Sequence, residues 1–375
     1  MNQKNVEMDA HAAAPPSVRR LYRHYNKLPP GSLPPSQVLD FGDANVDASG
    51  DGLRVVDRLP RDRLNAVYAA FLDGTSGSRD GDCTKDVKVY EHASIPGLRV
   101  LPGLLPPVVQ RALLSRLLLR DLSNPAHKTN IHLHYSVPPI DPPSSSFFDL
   151  PPSTVFAPHD PLVHKPLVLR DVLCKKLRWM TLGGQYNWTT KRYPDTPPVP
   201  FPKDIKDLVR GIFPSIDPQA AICNAYSPGD ALAPHRDVSE AADTDLISLS
   251  IGCDALFLIS LSPNDAVVAE DPPPDQSLTG QSSNQPSQKR RRKKVEMGPP
   301  PPLDEYTLVI KIRSGDALVM GGDSRWAWHG VPQVLPDTCP EYLSEWPSPD
   351  SSWAGWTGGK RVNLNVRQMF PRPDP

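Results

Sequence analysis

His235 and Asp237 stand two positions apart in the stretch "NAYSPGDALAPHRDVSE", residues 224–240. Pro228, Gly229 and Pro234 break any helix there, so in an extended segment the two side chains point to the same side. One imidazole nitrogen and one carboxylate oxygen can then meet a single metal ion. A second imidazole from a facing strand would complete two histidines and a carboxylate, leaving open positions for a bidentate co-substrate and oxygen. That is the pattern of non-haem Fe(II) oxygenases. In a chain with ten histidines, a His-x-Asp pair alone is weak evidence. A third ligand is offered by "GDALVMGGDSRWAWHGVP" (315–332), a strand and a Gly-Gly turn followed by His329 beside Gly330. Glycine there permits tight backbone approach. The competing reading of His329 is a satisfied core histidine.

Downstream lies "RVNLNVR" (361–367). On a strand, Arg361, Asn363, Asn365 and Arg367 face one way and Val362, Leu364 and Val366 the other. Two arginines and two asparagines are costly against an apolar core unless an anion pairs with them. Guanidinium forks carboxylates, so a dicarboxylate co-substrate fits this face. A solvent-facing polar strand is the alternative.

Taken in order, N-x-Y, H-x-D, H and R-x-N-x-x-x-R resemble the AlkB family of Fe(II)- and 2-oxoglutarate-dependent dioxygenases. "HRDVSE", "SRWAWHGVPQVLP" and "RVNLNVRQM" resemble its animal and fungal branch, typified by AlkB homologue 1. The resemblance runs from about 175 to 370. It implies His235, Asp237 and His329 as iron ligands, with Arg361 on the distal carboxylate of 2-oxoglutarate, helped by Asn224 and Tyr226. Arg367 and Asn363 would hold the end that chelates the metal. "WMTLGGQYNWTTKRYP" (179–194) resembles the family's nucleotide-recognition flap, with Trp188 at a base-stacking position and Tyr186 close by. Arg178, Lys191 and Arg192 would then hold phosphates. Bacterial AlkB has an acidic base-contacting residue two beyond the iron-binding aspartate. Here that position is Ser239, followed by Glu240, so the bacterial substrate does not carry over, and Ser239 and Glu240 are expected to meet a substrate of their own.

The family's chemistry couples oxidative decarboxylation of 2-oxoglutarate at Fe(II), with molecular oxygen, to hydroxylation of a substrate C–H. On an N-methyl group the product collapses to formaldehyde and the bare base. A base in a duplex must be flipped out to reach such a site. The resemblance suggests nucleic-acid substrates: N1-methyladenine in tRNA, N6-methyladenine in DNA, or 5-methylcytosine. A methylated protein such as a histone is one alternative. The other is a non-catalytic jelly-roll protein that binds partners through its basic and proline-rich segments.

The elements that must position these residues are short. "AAICNAY" (220–226), "LISLSIG" (246–252), "ALFLISLS" (255–262), "YTLVIKIR" (306–313), "ALVMGG" (317–322) and "RVNLNVRQMF" (361–370) are strand-like runs bounded by turn formers. They predict an antiparallel sandwich or jelly roll, and the resemblance implies an α+β protein with a double-stranded β-helix (jelly-roll) core and supporting N-terminal helices. Helices are expected around 61–74 and over 105–123, where Pro106 and Pro107 open an apolar repeat. "HLHY" (132–135) reads as a strand with His132 and His134 on one face, a weak metal pair. Trp346, Trp353 and Trp356 lie on the long connection 337–359, to cover a pocket, stack on bases, or fold back over the sheet edge. Residues 1–95 read as a partly irregular extension and 96–375 as the dioxygenase domain. A disordered insertion at 263–304 carries "KRRRKK" (289–294), a nuclear-import address, a nucleic-acid contact or a solvated charge run.

Composition sets outer bounds. The 375 residues carry 41 Lys and Arg against 42 Asp and Glu, which leaves no global nucleic-acid signature. Five scattered cysteines form no C-x-x-C pair and suit a reducing compartment. No apolar run approaches the about 20 residues of a membrane helix, and the N-terminus is too polar for a secretory signal. A soluble intracellular protein is expected, nuclear or cytoplasmic, with Arg19 and Arg20 leaving a mitochondrial presequence open.

Overall fold

In a computed structural model of the chain, residues 8–29, 32–34, 36–42, 52–72, 83–140, 146–187, 190, 192–194, 198–262 and 301–372 are described. Trp188, Lys191 and the basic block 289–294 lie outside them. The strands are β1 (Leu39–Asp40), β2 (Leu53–Leu59), β3 (Val87–His92), β4 (Leu98–Leu101), β5 (Tyr135–Ser136), β6 (Val155–Pro158), β7 (Leu167–Val168) and β8 (Trp179–Gly183). They continue with β9 (Ala220–Tyr226), β10 (Leu232–His235), β11 (Leu246–Gly252), β12 (Ala255–Ser260), β13 (Thr307–Ile312), β14 (Ala317–Met320), β15 (Trp328–Val334) and β16 (Arg361–Arg367).

Two sheets face each other across the core. The larger runs β2-β3-β4-β14-β11-β16-β9-β8 and the smaller β1-β13-β12-β15-β10. Their pairings are antiparallel except β1 with β13. This is a jelly-roll core with both sheets open at their edges, within mixed helix and strand content. The third sheet, β5-β6-β7, is small.

Alternation along the strands decides what each face meets. Val362, Leu364 and Val366 of β16 turn outward into the largest apolar cluster. There they join Leu64 and Tyr68 of the Arg61–Phe71 helix, Leu113 of the Pro107–Ser115 helix, and Ile205 and Leu208 of the Lys203–Ile212 helix. On the small sheet, Phe257 and Ile259 turn inward to meet Leu246, Leu318 and Met320 of the large sheet. Leu256 and Leu258 turn outward, against Val18, Leu21 and Tyr25 of the Pro16–Lys27 helix. No described helix is long and apolar enough to cross a membrane.

Described segments of the N-terminal region join the two sheets. β2 and β3 extend the large sheet, and β1 pairs with β13. The polar reading of this region reflects β2, whose residues 54–58 are exposed at the sheet edge. "HLHY" differs from its expected strand. Asn130–Leu133 is a short helical turn capped by Thr129, whose amide donates to His132 Nδ1 at 3.0 Å. Residues 337–359 fold back. Trp346, Trp353 and Trp356 are buried around Phe148, their ring centroids 5.1, 5.8 and 5.5 Å from it. The Trp356 indole N–H donates to the Leu173 carbonyl. None of the three is placed to stack on a base.

Residues 263–304 connect β12 to its direct partner β13. The described ends of that connection are joined by Ser260 to Thr307 at 2.8 Å and by Ser262 Oγ to Asp304 Oδ2 at 2.6 Å.

Candidate metal centre and co-substrate pocket

β10 and β15 are antiparallel partners, and their register sets His235 directly across from His329. Close approach is needed here. A Cβ on Gly330 would stand 2.7 Å from the Leu232 carbonyl oxygen, so only glycine leaves the two strands this near. The two rings lie 4.4 Å apart. Asp237, just past β10, approaches both: Oδ1 is 3.7 Å from His235 Nε2 and Oδ2 is 3.9 Å from His329 Nε2. One ligand atom from each of the three falls within 4.8 Å of the others.

Both imidazoles are held the same way. His235 Nδ1 lies 3.0 Å from the Ala233 carbonyl and His329 Nδ1 3.1 Å from that of Ala327. A carbonyl only accepts, so Nδ1 carries the proton and Nε2 is the free lone pair, the usual outer support of a metal-binding histidine. Burial, then the neighbouring His235, push His329 down to about 4, which keeps it neutral and ready to ligate near neutral pH. Burial opposes the charge on Asp237, but Arg367 and then the two histidines outweigh it and hold its carboxyl below the ordinary range. Neutral nitrogen donors with a carboxylate oxygen suit a divalent transition metal.

The triad opens into a cavity of about 320 Å³ between the two sheets. Asn224, Arg361, Asn363, Asn365 and Arg367 line the opposite wall. Arg361 is 2% exposed, yet only its Nη2 is bonded, to Ser250 Oγ at 2.9 Å. Among the described residues, Nε and Nη1 have no partner, nor does the buried Tyr226 hydroxyl across the β9–β16 pair. The guanidinium carbon sits 5.4 Å from the Tyr226 ring centroid. Among the described residues no carboxylate lies within ion-pair distance of Arg361. A buried cation with unmet donors costs several kcal/mol unless an anion meets it. The residues present therefore fit both an Fe(II) ion and a dicarboxylate.

Residues 144–367 match the 2OG-Fe(II) oxygenase superfamily. Over 97% of this chain and 98% of the relative, the sequence is 39% identical to the N6-methyladenosine RNA demethylase ALKB1 of Pyricularia oryzae. The chain belongs to the AlkB family of these oxygenases. It is 45% identical to the N6-methyladenosine RNA demethylase ALKBH of Cryphonectria parasitica, over 64% of this chain and 99% of that one. It is 34% identical to the tRNA demethylase abh1 of Schizosaccharomyces pombe, over 76% and 82%. An AlkB-family chain with this triad is an oxygenase, and the non-catalytic scaffold reading falls away.

Several residues with roles expected from sequence make contacts within the protein. Asn363 Nδ2 donates to Ser248 Oγ at 2.8 Å and to the Leu249 carbonyl at 3.0 Å, while its Oδ1 accepts from Asn365. Its two N–H donors are used inside the sheet, leaving none for a co-substrate. Arg367 lies beside Asp237, its Nη2 donating to Asp237 Oδ2 at 2.7 Å. It is the counter-ion of a ligand.

Glu240, expected to meet substrate, is also engaged within the protein. Its side chain is 1% exposed. Oε2 accepts from Arg325 Nη2 at 2.9 Å and Oε1 from the Tyr193 hydroxyl at 3.3 Å. Arg325 further donates to the Asp237 and Thr244 carbonyls. Sequence reasoning missed Arg325 and Tyr193. Arg325 stands four positions before His329 on a helical turn, and no charge pattern in "SRWAWHG" marks it out.

Of the stretch expected to be the flap, Tyr186 reaches the cavity. Tyr186 lines its mouth with Ser239, whose hydroxyl donates to the Tyr186 hydroxyl at 3.4 Å. Tyr186 also stands edge-on to Tyr193 at 5.4 Å. Arg178, expected on a phosphate, instead pairs with Asp230.

Proposed function

We propose that this chain is an Fe(II)- and 2-oxoglutarate-dependent demethylase of N-methylated adenine in RNA, with N6-methyladenosine the leading substrate. The observation that carries the reading is the pairing, across one small cavity, of two Nε2 lone pairs and a carboxylate with a buried, under-bonded arginine. Two relatives at 39% and 45% identity bear the name N6-methyladenosine RNA demethylase, and a third acts on tRNA. Fe(II) with 2-oxoglutarate and molecular oxygen supplies oxidation of the methyl C–H, which ends in formaldehyde, succinate and carbon dioxide.

The chain's own residues supply placement. His235, Asp237 and His329 hold the metal, and Arg367 and Arg325 keep the aspartate aimed at it. Arg361 takes the distal carboxylate of 2-oxoglutarate in a fork, with the Tyr226 hydroxyl and Asn224 beside it. Arg367 reaches toward the chelating end. Tyr186 and Ser239 stand where a flipped base enters, giving an aromatic face and a hydroxyl for its edge. Phe257, Leu318 and Met320 line the inner wall and exclude water.

The test compares formaldehyde release from RNA carrying N6-methyladenosine, tRNA carrying N1-methyladenosine, DNA carrying N6-methyladenine, and methyl-lysine histone peptide. The expected order places the first above the rest, with no release by the His235→Ala variant. Release from the histone peptide alone would overturn the nucleic-acid reading.

A further inference from the structure

Cys253 and Cys339 line no part of the metal cavity and have no role in the chemistry above. They meet where the turn after β15 folds back onto the start of β12. Two hydrogen bonds fix that approach: the Asp254 amide donates to Thr338 Oγ1 at 2.8 Å, and the Leu335 amide donates to the Asp254 carbonyl at 2.8 Å. Each thiol donates to a backbone carbonyl, Cys253 Sγ to that of Gly358 at 3.5 Å and Cys339 Sγ to that of Pro340 at 3.7 Å. Both side chains join one small apolar cluster with Val331 and Val334. Cys253 is 1% exposed, and Cys339 is partly open to solvent. All five cysteines are free thiols.

We propose that Cys253 and Cys339 are a dithiol oxidised by hydrogen peroxide to an intrachain disulfide, a modification site beside the co-substrate strand. The neighbouring Cys339 thiol, then the Thr338 backbone, lower Cys253 from its ordinary value against the opposing effect of burial, while Cys339 is raised. Cys253 is the thiol of the pair that ionises more readily, and it acts as the nucleophile. Its sulfur attacks one peroxide oxygen, the O–O bond breaks, and the departing hydroxide takes a proton to leave as water. The Cys253 sulfenic acid is then attacked by the Cys339 sulfur. The S–O bond breaks, a second water leaves, and the S–S bond forms. Two thiols lose two electrons and two protons, and one peroxide becomes two waters. The Cys253 amide donates to the Lys360 carbonyl at 2.8 Å, so the bond would form one residue away from Arg361.

The test uses the full-length protein without added metal, treated with a few equivalents of hydrogen peroxide. Remaining thiols are alkylated, and the digest is read by mass spectrometry without reductant. A peptide cross-linked between Cys253 and Cys339, lighter by two hydrogens and lost with dithiothreitol, is expected. The Cys339→Ser variant should give no such peptide and should take a dimedone label at Cys253. Recovery of both residues fully alkylated while Cys83, Cys174 or Cys223 is oxidised would overturn the proposal. So would a disulfide joining Cys253 to any cysteine other than Cys339.

Discussion

Arg361 concentrates the account at the level of single residues, because its unmet donors call for an anion that the described residues do not provide. Replacing it with alanine should raise the 2-oxoglutarate concentration needed for half-maximal turnover by roughly 10- to 100-fold, the weight of a charge-assisted fork. Arg361→Lys should recover only part of that loss, since an ammonium cannot fork. Unchanged co-substrate dependence in steady-state kinetics would remove Arg361 from its place. Arg325 acts through Asp237 and Glu240. Arg325→Met leaves the Glu240 carboxylate buried without its strongest partner, at a cost of about 3 kcal/mol or more. Denaturant titration should show that loss, and Fe(II) affinity should fall with it, because the Asp237 carbonyl loses its brace. The His-Asp-His triad was legible in sequence because ligand chemistry restricts residue type and order. The occupation of Asn363 and Glu240 was not, since hydrogen bonds to Ser248 and Arg325 span 115 and 85 positions.

Short strands deliver those residues, and their hairpins set the register. The turn between β13 and β14 is pinned by Asp316, whose carboxylate accepts from the Arg313 amide at 2.7 Å and the Gly103 amide at 2.8 Å. Burial raises its pKa from 3.8 to about 6 against those hydrogen bonds. The folded value lies above the unfolded one, so this contribution is fully present below the unfolded pKa and is lost as pH rises through the folded one. Between those limits, wild type should lose on the order of 3 kcal/mol relative to Asp316→Asn, by the usual conversion of pKa into free energy. Denaturant titrations of both proteins from acid to neutral pH would check this, and parallel curves would contradict it. Six strand-like runs were readable because each alternates or is continuously apolar between turn formers. "HLHY" misled because its capping by Thr129 competes with a strand, and four residues carry too little periodicity to decide. The Lys203–Ile212 helix was absent from the expectations, although Ile205, Leu208, Val209 and Ile212 form a clear helical stripe.

Across the whole molecule, function depends on two sheets that contribute different halves of one site. The small sheet and the loop after it bring the metal ligands, and β16 of the large sheet brings the arginines. Sequence order shows both sets but not their distance, which is set by inward apolar side chains such as Phe257 and Met320 meeting between the sheets. The N-terminal strands and the Pro16–Lys27 helix were harder to see, because exposed β2 reads as polar linker. The most direct check is anaerobic equilibrium binding of Fe(II) to the purified full chain. Wild type should take up one equivalent, and the His235→Ala, Asp237→Ala and His329→Ala variants should each lose tight binding while remaining folded by circular dichroism. Full, tight uptake by all three variants would place the metal elsewhere and contradict the account.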